Sequence, residues 1–291
     1  MAKTILITGS NSGFGLLAVQ SLLDDCHTVI GSMRDIDGRN HSSAESLRAL
    51  GGHVVEIDVT SNDSVEQGCQ EALEINGGID VLVNNAGVGV HGIQEMFTPE
   101  DMQHIFDINV FGVQRMTRAM LPHFHQRGDG LIVMISSLLG RVTMPFYGPY
   151  NASKWALEAL SENYRTELSQ FGIDVSIVEP GGFPTNFMER LVHPGDQSRR
   201  DAYGAFADQP EASFKGFQEL LANTPEQNPQ LVADAIVNVI NGEAGKRPFR
   251  TPVDRIGMGD AVAGYNDHLH QVTAGIYGSM GIEGLLQLSR G

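Results

Sequence analysis

The chain has 291 residues and a mass of 31.5 kDa, with 41% apolar and 19% charged residues, which indicates one large globular domain and excludes a disordered chain. Its 19 Lys and Arg stand against 35 Asp and Glu, a net charge of −16, so the surface repels nucleic acid and anionic membranes. We expect neither as a partner, and any anionic ligand needs a local positive site.

The first predicted element is a short apolar strand that ends in glycines. Lys3 to Thr8 predicts the strand, Gly9-Ser10-Asn11-Ser12-Gly13-Phe14-Gly15 forms a loop, and Leu16 to Leu23 has a helical pattern. This is the context of a dinucleotide fingerprint, because glycines let the backbone approach a pyrophosphate and a helix N-terminus offers free N–H groups. The alternative is a flexible turn without a ligand.

No segment predicts export, membrane insertion or metal binding. The N-terminal apolar run is too short for a signal peptide, and no other run reaches the ~18 to 20 residues of a transmembrane helix. Cys26 and Cys69 fall in predicted helices and match no metal or redox spacing, so we expect core thiols of a reducing compartment. The ten histidines lack zinc-ligand spacing. These features predict a cytoplasmic protein.

The end of the second strand bears on the choice of cofactor. The strand His27 to Ser32 is followed by Met33, Arg34 and Asp35. An NAD site usually has an acidic residue here for the ribose 2′-hydroxyl, whereas an arginine accommodates a 2′-phosphate. Because Arg34 can bind phosphate in a bidentate way, the pattern favours NADP(H) over NAD(H). Alternatively, Asp35 reaches the ribose, or Arg34 and Asp35 form an exposed ion pair.

Two further strands, Val54 to Asp58 and Ile79 to Val83, end in candidate crevice residues. Asp58 would lie beside an adenine, or else cap a helix. The second of these strands closes in Asn84-Asn85-Ala86-Gly87, where small residues keep a crevice open and an amide can hydrogen-bond to neighbouring strand ends.

A helix start is predicted at Thr98-Pro99-Glu100-Asp101, which has a hydroxyl cap, an early proline and acids in the first turn. The helical run from Val113 to Gln126 follows Asn109, a polar residue among apolar neighbours that needs partners if it is buried. Pro122 should kink that helix near its end or restart it.

The fifth strand and the helix after it carry the candidate chemistry. Leu131 to Ile135 is all apolar, and Ser136-Ser137 follows at the carboxyl end, where parallel sheets bind ligands. Tyr150 and Lys154 are four residues apart and therefore share a helix face. At ~5 Å and an effective dielectric constant of ~20, the ammonium would favour the phenolate by roughly 3 kcal/mol, about two pKa units. Tyr150 could then be a general acid or base; otherwise it is an ordinary aromatic beside a solvated lysine.

A sixth strand, Asp174 to Val178, leads into Glu179-Pro180-Gly181-Gly182-Phe183-Pro184-Thr185. Beyond it, polar sequence with scattered aromatics predicts a substrate lid, or else a surface excursion with its own small core. A helix from Leu231 to Ile240 and an edge strand around Phe249 to Val253 complete the pattern.

Strands that alternate with helices predict an α/β fold, a doubly wound parallel sheet (Rossmann fold) in a single domain. Within residues 1–291 we expect a cofactor-binding and catalytic core at 1–185, the helical lid at 186–229 and a completing helix and strand at 230–291.

Six motifs occur in order along residues 3 to 253, and on them the sequence resembles a classical short-chain dehydrogenase/reductase. They are Thr8-Gly9-x-x-x-Gly13-x-Gly15, Asn84-Asn85-Ala86-Gly87, Asn109, Ser137, Tyr150-x-x-x-Lys154 and Pro180-Gly181 with Thr185. The ending Met33-Arg34-Asp35, with Ser12, resembles the NADP-preferring branch that includes 17β-hydroxysteroid and retinol dehydrogenase-like members. Two positions depart from the common pattern, since Phe14 replaces an isoleucine and Phe183 a smaller aliphatic residue.

The resemblance implies a role for each motif. Ser137 would hold and polarise a carbonyl, Tyr150 would deliver a proton, and Lys154 would lower the pKa of Tyr150 and bind the nicotinamide ribose. Asn109 would hold a water that links Lys154 to solvent. The residues expected to bind the cofactor are Gly9, Asn11, Ser12, Gly13, Phe14, Gly15, Arg34, Asp58, Val59, Asn85, Ala86, Gly87, Tyr150, Lys154, Pro180, Gly181, Phe183 and Thr185.

Together these features predict an NADP(H)-dependent oxidoreductase that interconverts a hydrophobic ketone or aldehyde and its alcohol. The apolar lining is expected from Leu138, Leu139, Met144, Phe146, Phe183, Phe187 and Met188, with Tyr203 or Phe206. A non-catalytic NADP-binding regulator, or an epimerase or dehydratase that uses bound cofactor, is the alternative. Relatives pair through long helices, here 109–126 and 150–171, so the resemblance implies a homodimer or homotetramer.

Overall fold

A seven-stranded sheet, parallel throughout, forms the centre of the protein in a computed structural model that describes residues 2–289. The strand order is β3-β2-β1-β4-β5-β6-β7, so the winding direction reverses between β1 and β4. The strands are β1 (Thr4–Thr8), β2 (Thr28–Met33), β3 (His53–Glu56), β4 (Val81–Asn84), β5 (Gly130–Ile135), β6 (Ile173–Pro180) and β7 (Arg250–Val253). In such a sheet, ligands bind outside the carboxyl ends of the strands at the reversal.

Helices cover both faces of the sheet. One apolar core packs α1, α2 and α8 against one face, and a second packs α3, α5 and α6 against the other. This arrangement confirms the predicted doubly wound fold. The helices of the described chain are α1 (Gly13–Asp24), α2 (His41–Ala49), α3 (Asn62–Glu74), α4 (Pro99–Phe106), α5 (Gly112–Arg127), α6 (Gly148–Leu168), α7 (Gln209–Ala222), α8 (Gln230–Asn241) and α9 (Gly259–Met280).

The predicted strands and helix starts follow from local chemistry. All residues of β1 and β5 are buried, which explains their unbroken apolar sequence, since helices cover both faces of a parallel sheet. Thr98 and Asp101 form the reciprocal capping box of α4, in which each side chain accepts the other's backbone N–H. The fourth strand starts at Val81 rather than Ile79, and Asp80 just before it accepts the Thr4 N–H with its carboxylate, 2.7 Å away.

Two predictions for this part of the chain were wrong. Cys26 is an exposed residue of the turn after α1, with φ +62°, and only Cys69 is a buried helical thiol. Of the two alternatives for Pro122, a restart of the helix is wrong, because α5 runs on to Arg127, and a kink near its end stays a prediction. Met120 and Phe124 on either side of the proline are fully buried, so packing holds that turn in place although Pro122 lacks an N–H.

A π-helical turn, Asp107–Phe111, joins α4 to α5 and has no signal in the sequence. The wider turn buries Asn109, which is 1% exposed. Arg115 supports it from α5, with its guanidinium 2.7 Å from the Asp107 carboxylate and donating to the Asp107 carbonyl. Such turns are frequent at functional sites.

Residues 186–229 contain two 3₁₀ segments, Met188–Arg190 and Gln197–Asp208, followed by α7. The division of the chain at 185 and 229, and the movement of this segment as a lid, stay predictions. Within residues 2–289, no helix is long and apolar enough to cross a membrane, and no cluster of His, Cys, Asp and Glu could hold a metal ion.

Candidate active site

A cleft of about 580 Å³ lies at the carboxyl ends of the strands, where the strand order reverses. Most of the predicted site residues line it. Those on its wall are Gly9, Asn11, Ser12, Gly13, Phe14, Arg34, Asp58, Val59, Asn85, Ala86, Gly87, Ser137, Tyr150, Lys154, Pro180, Gly181, Phe183 and Thr185. Gly15 and Asn109 do not line the described cleft, but they contact residues that do, Asn85 and Val88 respectively.

In the glycine loop after β1, Gly9 and Gly15 are packed so closely that neither position has space for a Cβ atom. A Cβ at Gly9, where φ is +67°, would lie 2.9 Å from the Cα of Ala86. A Cβ at Gly15 would lie 2.5 Å from the amide nitrogen of Asn85. That amide donates to the Thr8 carbonyl at 2.8 Å and to the Gly9 carbonyl at 3.1 Å, which fixes the loop to the end of β4.

The start of α1 fits the pyrophosphate of a dinucleotide. Ser12, the N-cap residue, makes no side-chain capping bond within the described chain, so the first N–H groups of the helix are left for a ligand. Gly13 has φ +56°, and a Cβ there would be 3.9 Å from Thr185, so Thr185 faces the glycine loop. The residues present therefore fit a pyrophosphate, held by the loop 9–15 and the helix N-terminus.

At the other end of the cleft, the Arg34 guanidinium is half exposed and lies 3.9 Å from the Asp58 carboxylate. The alternative of an Arg34–Asp35 ion pair is wrong, because Asp35 turns away and accepts the backbone N–H of Arg39 at 3.0 Å. The Asn40 side chain, which the sequence did not indicate, donates to the Arg34 carbonyl at 2.6 Å and fixes the backbone there. The guanidinium itself is half exposed, and its described charged partner is the Asp58 carboxylate.

Three predicted catalytic side chains meet on the floor of the cleft. The Ser137 hydroxyl donates to the Pro180 carbonyl at 3.3 Å and lies close enough to the Tyr150 hydroxyl to lower its pKa. The Lys154 Nζ lies 5.7 Å from the centre of the Tyr150 ring and donates to the Ile135 carbonyl at 2.8 Å. Ser137 accepts the Leu139 N–H at 3.1 Å, so the serine hydroxyl is fixed in place next to the phenol. These contacts assemble an acid, a cation and a second hydroxyl.

Ser136, the neighbour of Ser137, also lines the cleft but has a different position. Its hydroxyl is buried without a hydrogen-bond partner among the described residues, while Ser137 is the serine whose hydroxyl affects the pKa of Tyr150. The catalytic role of Ser137, which the family spacing implies, stays a prediction.

Burial reverses the expected direction of the Tyr150 pKa. Removal from water raises the pKa of the phenol to about 12, with Ser137 opposing the rise and the neighbouring Tyr147 adding to it. Burial also lowers the pKa of the Lys154 ammonium to about 8. The sequence-based estimate of a lowered phenol pKa was wrong for this structure, because it counted the cation and left out the loss of solvent around both groups.

Asn109 is satisfied by its neighbours. Its side-chain oxygen accepts the Val88 N–H at 2.9 Å, and its amide donates to the Val88 carbonyl at 2.9 Å and to the Ser153 hydroxyl at 3.0 Å. Both amide hydrogens are thus used, and a water can bind only to an oxygen of this residue. A water link from Asn109 to Lys154 stays a prediction.

The wall opposite the glycine loop is apolar. Leu138, Leu139, Met144, Phe187 and Met188 line it as predicted. Three residues predicted for this wall, Phe146, Tyr203 and Phe206, are not among those that line the described cleft. Phe146 turns outward at φ +70° toward His91 and Phe206. Tyr203 stacks on Phe206 and donates to Glu95 at 2.7 Å.

Other lining residues were not indicated by the sequence. Tyr147 lies one turn before Tyr150, and Leu191, Val192, Phe217, Ile256 and Met258 come from segments whose path over the cleft is decided by tertiary packing. Of these residues, only Tyr147 could have been predicted from the sequence, because it lies three residues before Tyr150 and residues three apart on a helix share a face.

The profile of the short chain dehydrogenase family matches residues 3–195. The chain belongs to this family of oxidoreductases. Human retinol dehydrogenase 8 is 38% identical over 251 residues, which cover 82% of this chain and 78% of that protein. Human 17-beta-hydroxysteroid dehydrogenase type 1 is 33% identical over 256 residues, 82% of this chain and 75% of that protein. The resemblance to that branch of the family is thereby confirmed.

Solved structures show the same architecture. A short-chain dehydrogenase from Streptomyces avermitilis has a TM-score of 0.74 and 30% identity, and the match covers 97% of this chain and 98% of that one. An actinorhodin polyketide ketoreductase with NADPH has a TM-score of 0.72 and 27% identity, covering 89% and 98%. A 3-ketoacyl-(acyl-carrier-protein) reductase from Brucella melitensis complexed with NADH has a TM-score of 0.70 and 25% identity, covering 87% and 96%.

Proposed function

We propose that this chain is an NADP(H)-dependent oxidoreductase that interconverts an apolar ketone or aldehyde and its alcohol. The observation that carries the proposal is the meeting of the Tyr150 and Ser137 hydroxyls beside the Lys154 ammonium, on the floor of a cleft with an apolar wall. A protein that only binds a dinucleotide has no use for a buried phenol next to a buried cation. The names of the retinol and hydroxysteroid relatives support an apolar alcohol or ketone.

The cofactor supplies the hydride when it is bound. Ser137 binds the carbonyl oxygen of the substrate, and Tyr150 donates its proton to the same oxygen as negative charge develops there. Because the pKa of Tyr150 is about 12, the phenol is fully protonated at neutral pH and ready to act as an acid. The Lys154 ammonium then stabilises the phenolate that remains. These protonation states favour the reductive direction.

NADP(H) is proposed over NAD(H) because Arg34 is half exposed at the end of β2. A guanidinium forms strong bidentate contacts with a phosphate, and its 3.9 Å pair with Asp58 is loose enough to give way. On a surface with net charge −16, such a local cation is needed to hold a further anionic group. The solved relatives carry NADPH in one case and NADH in the other, so this choice depends on Arg34.

Loss of nicotinamide absorbance tests the proposal, with NADPH and NADH assayed separately against hydrophobic ketones, aldehydes and diketones. We expect turnover with NADPH on part of this panel, and the ranking of substrates would describe the apolar wall. Faster turnover with NADH would contradict the cofactor choice alone. If both cofactors bind and nothing turns over, a regulator or an enzyme with permanently bound cofactor becomes the better interpretation.

We also propose that the chain pairs with itself through α5 and α6. The support is the exposure of Phe111 at 51% and Trp155 at 40%, large apolar side chains on the two predicted pairing segments. Light scattering should give the mass of a dimer or tetramer, and Trp155→Lys should shift it towards the monomer. A monomer in the unmodified protein would contradict the proposal.

A further inference from the structure

Behind the active site lies a group of charged and polar side chains that the proposed reaction does not use. We call it the buried charge cluster. Its members are Glu158 on α6, Glu179 in β6, Arg250 in β7, Arg141 in the loop after β5 and Asn266 on α9. Glu158 and Glu179 are 1% and 0% exposed. Burial of charged groups is costly, so a cluster of this kind needs an explanation beyond general stability.

The hydrogen bonds of the cluster favour one carboxylate over the other. Arg250 Nε donates to Glu158 Oε2 at 2.9 Å, and Glu179 Oε1 lies 3.3 Å from the same nitrogen without a hydrogen bond in the described chain. The other Glu179 oxygen accepts only the neutral Asn266 amide at 2.7 Å, and Arg141 in turn donates to Asn266 at 2.8 Å. Each carboxylate thus has one oxygen without a hydrogen-bond partner among the described residues, and they differ in the donor to the other oxygen, a guanidinium for Glu158 and a neutral amide for Glu179.

This difference determines where the proton lies. Burial and the nearby charge of Glu158 raise the pKa of the Glu179 carboxyl, against the opposing charge of Arg250. With a pKa of about 8, the Glu179 carboxyl is protonated at neutral pH, and the Arg250 guanidinium lies against the neighbouring Glu158 carboxylate.

Glu158 is also one helical turn from Lys154 on the same face of α6. Gly140 packs tightly against this part of α6, because a Cβ there would lie 3.0 Å from the Glu158 Cγ and 3.1 Å from the Lys154 carbonyl oxygen. The ammonium also contacts the Ile135 carbonyl from β5, the Tyr150 ring and the segment at Gly87, where a Cβ would lie 3.8 Å from Nζ. Burial lowers the pKa of Lys154, and the charge of Glu158 opposes that effect.

We propose that Glu158 is a positioning residue whose carboxylate keeps Lys154 in its ammonium form, while Arg250 and the protonated Glu179 hold that carboxylate charged and in place. The proposal extends the role given to Lys154 in the proposed function. It also explains why a buried acid stands directly behind the catalytic face of α6. Glu162, the next acid along α6, pairs with the other side of Arg250 and is partly exposed, so it provides a matched comparison.

The experiment measures the pKa of Lys154 directly, in protein without substrate. The chain has four lysines, and pH-dependent acetylation followed by peptide mass spectrometry gives the pKa of each, with the exposed Lys215 and Lys246 as internal references. We expect a Lys154 value near 8 in the unmodified protein. In Glu158→Gln it should fall by about one pKa unit, and in Glu162→Gln it should not change.

Both substitutions are isosteric and both remove one partner of Arg250. An unchanged Lys154 value in Glu158→Gln would overturn the proposal. So would an equal fall in both variants, since the effect would then come from Arg250. Because the measurement needs no turnover, failure of the proposed reaction on every substrate would leave this result interpretable.

If Glu158→Gln does not fold, Lys154→Met provides the reciprocal measurement. Carboxyl carbon NMR of the glutamates then reports the pH at which the pair Glu158 and Glu179 loses its proton. Without the ammonium this pH should rise by about one unit, because linkage between two charges acts equally in both directions. A pair that titrates at the same pH as in the unmodified protein would overturn the proposal.

Discussion

The rings of Phe14 and Phe183 meet edge to face, with centres 5.6 Å apart and planes at 87°. Phe14 belongs to the glycine loop, and Phe183, 3% exposed, follows β6. These are the two positions at which the sequence departs from the usual pattern of the family. The two departures are therefore in direct contact on the wall of the cleft that both residues line.

We therefore expect Phe14→Ile and Phe183→Ile to interact when combined. Each single change should lower the free energy of unfolding, since it leaves one ring without its partner. The double change should cost less than the sum by about 0.5–1.5 kcal/mol, the usual energy of an aromatic pair. Urea unfolding of all four proteins measures the difference. Additive losses would show that the rings pack independently.

The sequence was sufficient to predict the main elements of this site, because the patterns that indicate them are local. The apolar runs of the strands, the glycines after β1 and the four-residue spacing of Tyr150 and Lys154 each predict a structure without knowledge of distant residues. The π-helical turn and the outward path of Phe146 were not predictable, since both depend on packing between separated segments. The prediction of a lowered Tyr150 pKa was wrong for a related reason, because the burial of the hydroxyl depends on the whole fold.

Arg34 should decide the preference for NADPH. Arg34→Ala removes a charged hydrogen-bond donor worth about 1.5–3 kcal/mol, so we expect the NADPH affinity to fall roughly 10- to 100-fold. NADH lacks the 2′-phosphate and should lose much less. Fluorescence titration with both cofactors provides the comparison.

Arg48→Ala is the matched control for that measurement. Arg48 is an exposed arginine of α2 that pairs with Glu45 at 2.7 Å, and its removal changes the net charge by the same amount. It should leave both affinities nearly unchanged. Equal losses of NADPH and NADH affinity in Arg34→Ala would show that Arg34 does not contact the 2′-phosphate.

Tyr150→Phe should lower turnover by about 10²- to 10⁴-fold, the range for loss of a general acid, with cofactor affinity nearly intact. Tyr164→Phe is its control, because the Tyr164 hydroxyl lies on the same helix but bonds to Gln114, away from the cleft. Steady-state kinetics and cofactor titration separate the two effects. Turnover retained in Tyr150→Phe would remove Tyr150 from the proposed mechanism.

The pH dependence of reduction should follow Lys154 rather than Tyr150. Tyr150 holds its proton to a pKa of about 12, so the phenol is a competent acid throughout the neutral range. Lys154 loses its charge near pH 8, and the phenolate then forms without its cation. We expect the reductive kcat to be level below about pH 8 and to decline above it. A rate that rises through pH 8 would contradict this order.

Lys154 should also lower the stability of the protein, because its ammonium is buried. The pKa falls from 10.5 to about 8 on folding, which corresponds to about 3 kcal/mol of unfavourable free energy below pH 8. Between about pH 8 and 10.5 the unfolded chain binds more protons than the folded one, so stability rises with pH and the penalty disappears. Lys154→Met should therefore be more stable than the unmodified protein at neutral pH, and this advantage should shrink above pH 8.

Denaturant unfolding at several pH values tests the prediction, with the exposed Lys215→Met as the control that should show no such dependence. If the difference in stability between Lys154→Met and the unmodified protein stays constant to pH 10.5, the stabilisation comes from apolar packing of the methionine and not from the removed charge.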